Sequence, residues 1–390
     1  MAEFYKLENE VKHYAWGSPD MIPALLGIDN TERKPFAELW MGIHPEAPSK
    51  TSVQGKIVPL SNITGLPFLF KFLAAGKPLS IQAHPNLAQA RAGFEKENSA
   101  GIPLSAAERN YRDPNHKPEI ICALGSFTAM VGFREPSETA ELLSMIHGAG
   151  SLAASLREGY RPFLSKLFGL NDAEKKALNN SVLAAQNQLP NNPAEKKIPP
   201  INLCGELARF YPNDPGIISP LYLNVIKLKP FEAIFLPAGI LHAYINGFAM
   251  ECMANSDNVL RGGLTPKHID LPELFSILSF DPFKPDILKP GRLVSPGSYR
   301  YETPCGEFTL YLIQNPAASG ETNGRQLEAP EMGIFAVYDG SVDITLSGGK
   351  SGKKNIVLKK GESVFINRRE ARERLCFNGD FTLFAALAPD

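Results

Sequence analysis

The segment LSIQAHPN, residues 79–86, places polar side chains at every second position. Ser80, Gln82 and His84 alternate with apolar residues, and a proline follows directly. Residues two apart on a β-strand lie on the same face, so the Gln82 amide oxygen and a His84 ring nitrogen should point the same way. These two groups could form half of a metal site. A polar strand face or a turn-capping histidine would produce the same pattern.

A second polar cluster begins the apolar run NHKPEII, residues 115–121. Lys117 and Glu119 are two residues apart and would share a strand face, whereas His116 would point to the opposite face. A carboxylate at the entrance of a strand is usually solvated, so this pattern alone does not establish a site. It adds a candidate carboxylate ligand, Glu119, and a neighbouring ammonium group, Lys117, to the possible site.

The segment FLPAGILHAYINGFAMEC, residues 235–252, contains a further histidine in a distinctive setting. Pro237, His242 and Asn246 are separated by four and three residues, a spacing that resembles the second motif of the cupins. Cupins are small jelly-roll barrels that bind a metal inside. Phe231 departs from the motif because it stands where most cupins have glycine.

The region from Gly76 to Glu119 resembles the first cupin motif. Gly76 is followed after five residues by Gln82-x-His84, and Glu119 would be the later glutamate, displaced by a predicted helical insertion. Gln82 replaces the usual first histidine, so the ligand set becomes two imidazoles, a carboxylate and an amide oxygen. Zinc tolerates such nitrogen and oxygen ligands, and iron or manganese would fit nearly as well. A set without thiolate argues against a purely structural zinc site.

The glutamine-containing motif resembles that of one cupin family, type I mannose-6-phosphate isomerase (phosphomannose isomerase). Further segments resemble the blocks of that family in the same order, from about residue 10 to residue 270: YAWGS (14–18), ELWMGIHP (38–45), PFLFKFL (67–73), HKPE (116–119), PAGILHAY (237–244) and NSDNVLRGGLTPK (255–267). Residues 286–390 lack comparably distinctive motifs. The combination identifies the chain as similar to this family over most of its length.

The resemblance implies a single zinc ion and the interconversion of mannose 6-phosphate and fructose 6-phosphate through a cis-enediol. The implied zinc ligands are Gln82, His84, Glu119 and His242. Arg261, in NSDNVLRGGLTPK, stands at the position to which the family assigns an active-site role. Because a guanidinium does not readily lose its proton, we expect Arg261 to stabilise the enediolate together with the metal.

The base and the phosphate-binding groups are less constrained by the sequence. Lys117 is expected near the metal and could act as the base, or it could only pair with the carboxylate or the phosphate. Lys71, Ser80 and Lys267 are the candidate phosphate-binding or sugar-binding residues. Lys71 interrupts the apolar segment FLFKFL, so it either reaches into a cleft or extends to solvent at a sheet edge.

The predicted fold is mainly β with a helical insertion: two cupin-like jelly-roll β domains plus an α-helical domain. Residues 1–135 and 213–285 are assigned to a discontinuous catalytic cupin domain, residues 136–212 to the helical insertion, and residues 286–390 to a C-terminal jelly roll. Short strands at regular spacing favour a sandwich or barrel in the last block. There, Asn367 and Arg372 occupy the positions of the motif proline and histidine. This domain is therefore expected to bind no metal and to buttress the catalytic domain.

The composition argues against several classes of function. The chain has 390 residues, of which 40 are basic and 41 acidic, and this balance argues against nucleic acid binding. The five cysteines form no CxxC pair, which favours reduced thiols and a cytoplasmic location. The sequence shows no apolar leader and no run of 18 apolar residues, so we expect no association with a membrane. A small phosphosugar is the expected partner, and the chain is expected to be a monomer.

Three other functions could use the same residues. A cupin isomerase could act mainly on a different phosphosugar, because the sequence does not show the walls of the pocket. A sugar-binding or regulatory cupin could keep the fold without activity, although the intact ligand set together with Arg261 and Lys117 argues against it. A metal-dependent dioxygenase usually has more histidine ligands and open coordination for oxygen, which this set does not favour.

Overall fold

The computed structural model describes residues 3–188, 200–315, 325–328, 331–347, 354–367 and 374–389. Within these ranges the chain is mainly β, with helices concentrated between residues 136 and 222, which confirms the predicted fold class. Arg372, predicted to replace a metal-binding histidine, lies outside the described residues.

The strands of the first part of the chain include the segments that carry the predicted metal ligands. They are β1 Glu3–Lys6, β2 Glu10–Lys12, β3 Glu38–Gly42, β4 Lys50–Val53, β5 Lys56–Pro59, β6 Phe68–Ala75, β7 Gln82–Ala83, β8 Glu119–Ala123, β9 Phe127–Phe133, β10 Leu223–Leu228, β11 Ala233–Leu236, β12 His242–Ala254 and β13 Leu260–Arg261. The strands of the C-terminal part are β14 Arg292–Ser295, β15 Ser298–Arg300, β16 Thr309–Asn315, β17 Arg325–Glu328, β18 Met332–Ser347, β19 Lys354–Lys359, β20 Ser363–Asn367 and β21 Arg374–Leu387.

The predicted ligands lie in a sheet that has ten strands within the described residues. Its main path is β10-β9-β12-β6-β3-β2, and β7, β8, β11 and β13 pair beside this path. The first residues of β12 pair with β9 and β7, whereas its last residues pair with β6 and β8, so this one strand joins both halves of the sheet. All eight residues of β6 are buried, so β6 lacks the alternation of a strand with one solvated face.

The C-terminal part forms a second sheet, with nine strands in the described ranges. Its order is β1-β20-β18-β21-β16-β15-β14, with β17 and β19 alongside. β18 and β21 are its longest strands and pair antiparallel along most of their length. β1 pairs with β20, so the N-terminal strand lies in the sheet of the C-terminal part. The division into three domains stays a prediction.

The two sheets share a hydrophobic core. Phe70 of β6 belongs to the same buried cluster as Phe365 and Phe384 of the C-terminal part. The buried Tyr301 donates a hydrogen bond to the carbonyl oxygen of Phe231 at 2.8 Å across the same boundary. Burying one aromatic side chain stabilises a fold by about 1.5–3 kcal/mol, so this shared core holds the two sheets in a fixed relation.

The helices are α1 Met21–Leu26, α2 Leu87–Ser99, α3 Pro136–Leu143, α4 Gly150–Ser155, α5 Tyr160–Phe168, α6 Asp172–Gln188, α7 Pro200–Phe210, α8 Ser219–Tyr222 and α9 Leu271–Ile277, with 3₁₀ turns at Leu60–Asn62, Leu156–Glu158 and Pro215–Ile218. Most of the helices contribute to one core cluster, whereas buried residues of α1 belong to the core that the two sheets share. In α7, the buried residues Ile201, Cys204 and Ala208 follow the helical period and join a core cluster that also contains Phe133 of β9. Among the described helices, none combines the length and the apolar character that crossing a membrane requires.

The ligand segment LSIQAHPN ends where α2 begins. The Asn86 side chain accepts a hydrogen bond from the Gln89 N–H at 2.9 Å, and the Gln89 side chain accepts one from the Asn86 N–H at 2.9 Å. Such reciprocal capping satisfies two N–H groups that would otherwise lack partners at the start of a helix. Pro85 and this cap therefore end the extended segment directly after His84 and fix the direction in which the chain leaves.

Gly132 in β9 has a left-handed backbone with a φ of 64°, and a Cβ atom there would lie 2.6 Å from Cβ of Phe283. We expect Gly132→Ala to destabilise the fold, because alanine would add about 1–2 kcal/mol of backbone strain and about 1–3 kcal/mol of overpacking. Gly27→Ala is a matched control, since its φ is 65° and nothing lies within 4 Å of the added atom. Urea unfolding measures both variants. Equal losses would show that the contact with Phe283 contributes nothing.

Candidate functional site

A cavity of about 730 Å³ is lined by residues from both halves of the ten-stranded sheet. Seven of the nine predicted site residues line this cavity: Lys71, Ser80, Gln82, Lys117, Glu119, Arg261 and Lys267. The other two, His84 and His242, lie 3.4 and 3.5 Å from the Glu119 carboxylate. The structure therefore brings together all the residues that the sequence predicted for the site.

Strand register places Gln82 between His242 and Arg261. Gln82 of β7 is the register partner of His242 on β12 and also of Arg261 on β13. Side chains directly opposite one another in antiparallel strands lie on the same face of a sheet. Three residues that are distant in sequence thus form one row across three strands.

His84 and His242 are both buried, and a hydrogen bond to a backbone carbonyl fixes the tautomer of each ring. Nδ1 of His84 donates to the carbonyl oxygen of Asn258 at 2.8 Å, and Nδ1 of His242 donates to the carbonyl oxygen of Ile240 at 2.9 Å. Because a carbonyl oxygen only accepts, the hydrogen lies on Nδ1 and Nε2 of the neutral ring presents a lone pair. Burial lowers the pKa of His84 to about 4, so its ring is neutral at pH 7.

Glu119 lies between these two rings at the start of β8. Its Oε1 is 3.4 Å from His84 Nε2, and its Oε2 is 3.5 Å from His242 Nε2. Lys117 Nζ lies 3.2 Å from Oε1. Burial alone would raise the pKa of Glu119, but its neighbours, among them the Lys117 ammonium, outweigh burial and hold this pKa well below its ordinary value. The carboxylate therefore stays charged although it is buried.

The same three groups fit a divalent cation. Their ligand atoms lie within 4.8 Å of one another, and His84 Nε2 is buried without a hydrogen-bond partner among the described residues. Lone pairs of His84 and Glu119 thus face each other, an arrangement that costs free energy unless a cation lies between them. Gln82 Nε2 lies 3.4 Å from His242 Nε2, and a flip of the amide would present its oxygen there. This set of donors suits zinc.

Lys71 is buried between two carboxylates. Its Nζ lies 2.8 Å from Glu251 and 3.1 Å from Glu38. Burial alone would lower the pKa of Lys71, but these carboxylates outweigh burial and raise it above its ordinary value. The Trp40 indole donates to the other Glu38 oxygen at 2.8 Å. Lys71 does reach a cleft, one of the two outcomes that its sequence context predicted, but its two acidic partners oppose a role in binding phosphate.

A second set of cavity residues is cationic: Arg112, Arg261 and Lys267, which we call the cationic group. Burial lowers the pKa of Arg261 and that of Lys267, and the neighbouring cations lower both further. Among the residues that the structure describes, no carboxylate raises the pKa of Arg261 or of Lys267. The positive charges of these two side chains are therefore not balanced by a nearby acid. An anion is the natural ligand for such a group.

Sequence patterns missed four polar residues that line the cavity: Glu38, Arg112, Tyr244 and Glu251. The Tyr244 hydroxyl donates to Glu251 at 2.8 Å and lies 3.5 Å from Glu119. Tyr244 follows His242 by two residues, so the period of a strand could have placed it on the same face. Glu251 meets Lys71 through the register of β12 against β6, which no local pattern reveals.

His116 contacts the C-terminal part of the chain rather than the cavity, in accord with the predicted opposite face. Its Nε2 lies 2.5 Å from Oε1 of Glu307, whose Oε2 accepts a hydrogen bond from the Cys305 thiol at 3.2 Å. The segment that carries Lys117 and Glu119 is therefore anchored to the second sheet through the residue that precedes Lys117.

Sequence comparison relates the chain to sugar-phosphate isomerases. The family description "Phosphomannose isomerase type I, catalytic domain" matches residues 4–136. The mannose-6-phosphate isomerase of Salmonella typhimurium is 42% identical over 389 residues, with 94% of this chain and 95% of that protein covered. The enzyme of that name from Bos taurus is 32% identical over 429 residues, and 98% of both chains is covered.

Solved structures show the same relation. A zinc-bound mannose 6-phosphate isomerase superimposes with a TM-score of 0.86 at 37% identity, covering 99% of this chain and 100% of that one. The Salmonella typhimurium enzyme bound to fructose 6-phosphate and zinc superimposes with a TM-score of 0.85 at 36% identity and the same coverage. The similarity extends over the C-terminal part as well as the sheet that holds the cavity.

We expect Lys71→Met to destabilise the fold by about 3–5 kcal/mol, because two carboxylates would remain buried without their cation. Acidification should reduce this loss. Burial raises the pKa of Glu251, so the folded chain keeps a proton that the unfolded chain releases, and stability is greater at low pH. Urea unfolding at pH 5.5 and pH 8 measures the effect.

Lys77→Met is the control for this substitution, since Lys77 also lines the cavity but is exposed. It should change the urea midpoint little at either pH. A Lys71→Met variant that unfolded at the same midpoint as Lys77→Met would contradict the assigned pairing with Glu38 and Glu251.

Proposed function

Because this chain belongs to the type I phosphomannose isomerase family, as its motifs predicted, we propose that it interconverts D-mannose 6-phosphate and D-fructose 6-phosphate. One observation carries the proposal: a buried set of nitrogen and oxygen ligands and the cationic group meet at the same cavity. A metal site beside an anion-binding surface suits the isomerisation of a phosphorylated sugar, which needs both.

The cofactor of this proposal is one zinc ion per chain, as in the related zinc-bound structures. The residues that would hold it are Gln82, His84, Glu119 and His242. When bound, zinc supplies Lewis-acid stabilisation of negative charge on the sugar oxygens at C1 and C2. The carbonyl oxygens of Asn258 and Ile240 hold the two imidazoles in the tautomer that ligation requires.

The cationic group would bind and orient the anionic substrate. Arg261 lies beside Gln82 in the row of ligands, so we assign it to the developing enediolate oxygens. Arg112 and Lys267 would bind the phosphate, which carries almost two negative charges, and the Ser80 hydroxyl would donate a further hydrogen bond. Lys71 is left out of the phosphate site because of its two carboxylate partners.

Proton transfer between C2 and C1 needs a group that lines the cavity and can both accept and donate a proton. Glu251 lines the cavity, and burial raises the pKa of its carboxyl, which makes it a better proton acceptor than an ordinary carboxylate. We propose Glu251 as the group that takes the proton from C2 and returns it to C1. Lys117, the base predicted from the sequence, remains the alternative, but its ammonium group already lies 3.2 Å from the Glu119 carboxylate.

We also propose a domain organisation, a cellular location and an oligomeric state. The catalytic unit would comprise residues 1–135 and 213–285, with a helical insertion over 136–212 and a metal-free C-terminal jelly roll over 286–390. All five cysteines are free, which supports a reducing compartment and hence the cytoplasm. The near-zero net charge supports a small-molecule substrate rather than nucleic acid. We propose that the enzyme acts as a monomer.

Removal of zinc tests the proposed reaction. Purified protein should convert mannose 6-phosphate to fructose 6-phosphate in a coupled assay, lose this activity after treatment with a chelator, and regain it when zinc is added. His242→Ala should abolish zinc binding and turnover together. Absence of turnover in protein shown to contain zinc would refute the substrate, and full activity of His242→Ala would refute the site.

Substitutions in the cationic group separate its two proposed roles. Arg261→Ala should lower kcat by about 10²–10³, because a donor to the enediolate acts mainly in the transition state. Lys267→Ala should instead raise KM with little change in kcat, as expected for binding of the phosphate in both states. Both variants should keep their zinc. If Arg261→Ala raised only KM, Arg261 would be a binding group and not a stabiliser of the intermediate.

A further inference from the structure

Asn258 lies behind the cavity and is completely buried. Its Oδ1 accepts hydrogen bonds from the N–H groups of Arg112 at 2.8 Å and Asp113 at 3.3 Å. Its Nδ2 donates to the carbonyl oxygens of Asp113 at 2.7 Å and Asn115 at 2.9 Å. Both lone pairs and both hydrogens of the amide are therefore used on one short loop, residues 112–115.

The backbone of the same residue holds a proposed metal ligand. The carbonyl oxygen of Asn258 accepts the Nδ1 hydrogen of His84 at 2.8 Å. This bond sets both the tautomer and the direction in which His84 Nε2 points. Partners of this kind commonly change metal affinity by 10-fold to 100-fold when they are lost. One residue thus contacts His84 through its main chain and the 112–115 loop through its side chain.

Neighbouring residues reinforce this connection. Asp113 Oδ2 accepts the N–H of Asp257 at 2.7 Å, and the Ser256 hydroxyl donates to the Asn115 carbonyl oxygen at 3.2 Å. The 112–115 loop is therefore hydrogen-bonded to residues 256–258. It leads to Lys117 and to Glu119, the first residue of β8. Its first residue, Arg112, belongs to the cationic group.

We propose that Asn258 is a positioning residue that fixes the metal-binding His84 relative to the Arg112 of the cationic group. This inference rests on the proposed function, since it assigns Arg112 to the substrate phosphate and His84 to zinc. Asn258 touches neither ligand itself. It acts by holding two groups from different parts of the chain at one separation, which a substrate with a reacting end and a phosphate end requires.

The chemistry of an amide suits this position better than that of any similar side chain. Aspartate has the same shape but offers no donors, so it would place a negative oxygen against the carbonyl oxygens of Asp113 and Asn115. Serine has one donor and a shorter reach, so it cannot make four bonds to the loop. Asn258→Asp therefore tests the hydrogen bonds at constant volume, and Asn258→Ser tests them without adding charge.

The experiment measures zinc affinity and steady-state kinetics on the full chain. Zinc affinity is determined by competition with a chromophoric chelator, which does not depend on activity. Asn258→Asp should weaken zinc binding by about 10-fold to 100-fold. It should also raise KM for mannose 6-phosphate about tenfold when zinc is saturating, with a smaller change in kcat, because Arg112 would lose its position.

Asn255→Asp is the matched control from the same segment. The Asn255 side chain donates to the carbonyl oxygen of Leu66 at 2.7 Å, and among the described residues it bonds neither to His84 nor to the 112–115 loop. This control should lower thermal stability but leave zinc affinity and KM within about twofold of the wild type. Asn258→Ser replaces Asn258→Asp if circular dichroism shows that the latter does not fold.

The outcomes separate this inference from the proposed function. Wild-type values of zinc affinity and KM in Asn258→Asp would overturn the inference, as would equal effects in Asn255→Asp. Failure of both Asn258 variants to fold would also overturn it, since Asn258 would then serve the fold and not the site. If the wild type lacked isomerase activity while Asn258→Asp still lost zinc affinity selectively, the proposed reaction would fail but the link to His84 would stand.

Discussion

Burying the Glu119 carboxylate requires compensation that the surrounding strands must supply. A lone charge in such a site would shift its pKa and become neutral. Here the neighbours of Glu119, among them the Lys117 ammonium, hold the pKa of its carboxyl well below the ordinary value, so the charge persists. The His84 imidazole cannot also neutralise it at pH 7, since burial lowers the pKa of His84 to about 4. A divalent cation resolves this conflict, and the ligand row is therefore best understood as a site that is complete only with its metal.

The other charged residues of the cavity include a lysine paired with two carboxylates and the cationic group. Lys71 is matched by Glu38 and Glu251, and the ring N–H of Trp40 satisfies a further carboxylate oxygen. Among the described residues, Arg261 and Lys267 of the cationic group have no such partner, whereas Arg112 lies near the carboxylate of Asp257. A phosphate can thus gain favourable interactions with Arg261 and Lys267, whereas the cluster of Lys71 with two carboxylates offers it no net positive charge. This separation would orient a phosphosugar in the cavity before any step of the reaction takes place.

Sequence reasoning reached the parts of the site that depend on local spacing. Gln82 and His84 are two residues apart, so the period of a strand placed them on one face, and the resemblance to the family motifs added Glu119 and His242. Arg112 and Glu251 were missed for a physical reason. Glu251 faces Lys71 only through the register of β12 against β6, and the Arg112 N–H donates a hydrogen bond to Asn258, which is 146 residues away in the sequence. The fold class followed from strand patterns, whereas the pairing of β1 with β20 joins segments more than 350 residues apart and leaves no local signal.

β12 explains why these separate features form one site. This strand begins at His242, beside Gln82, and continues through Tyr244 to Glu251, beside Lys71. The Tyr244 hydroxyl donates a hydrogen bond to Glu251 and lies 3.5 Å from Glu119. A single buried side chain therefore links the metal ligands to the carboxylates that pair with Lys71. Because β12 lies inside a core that both sheets share, a shift of one group would disturb the packing around all of them. The C-terminal sheet therefore contributes to the chemistry by holding this strand rigid, although none of its described residues lines the cavity.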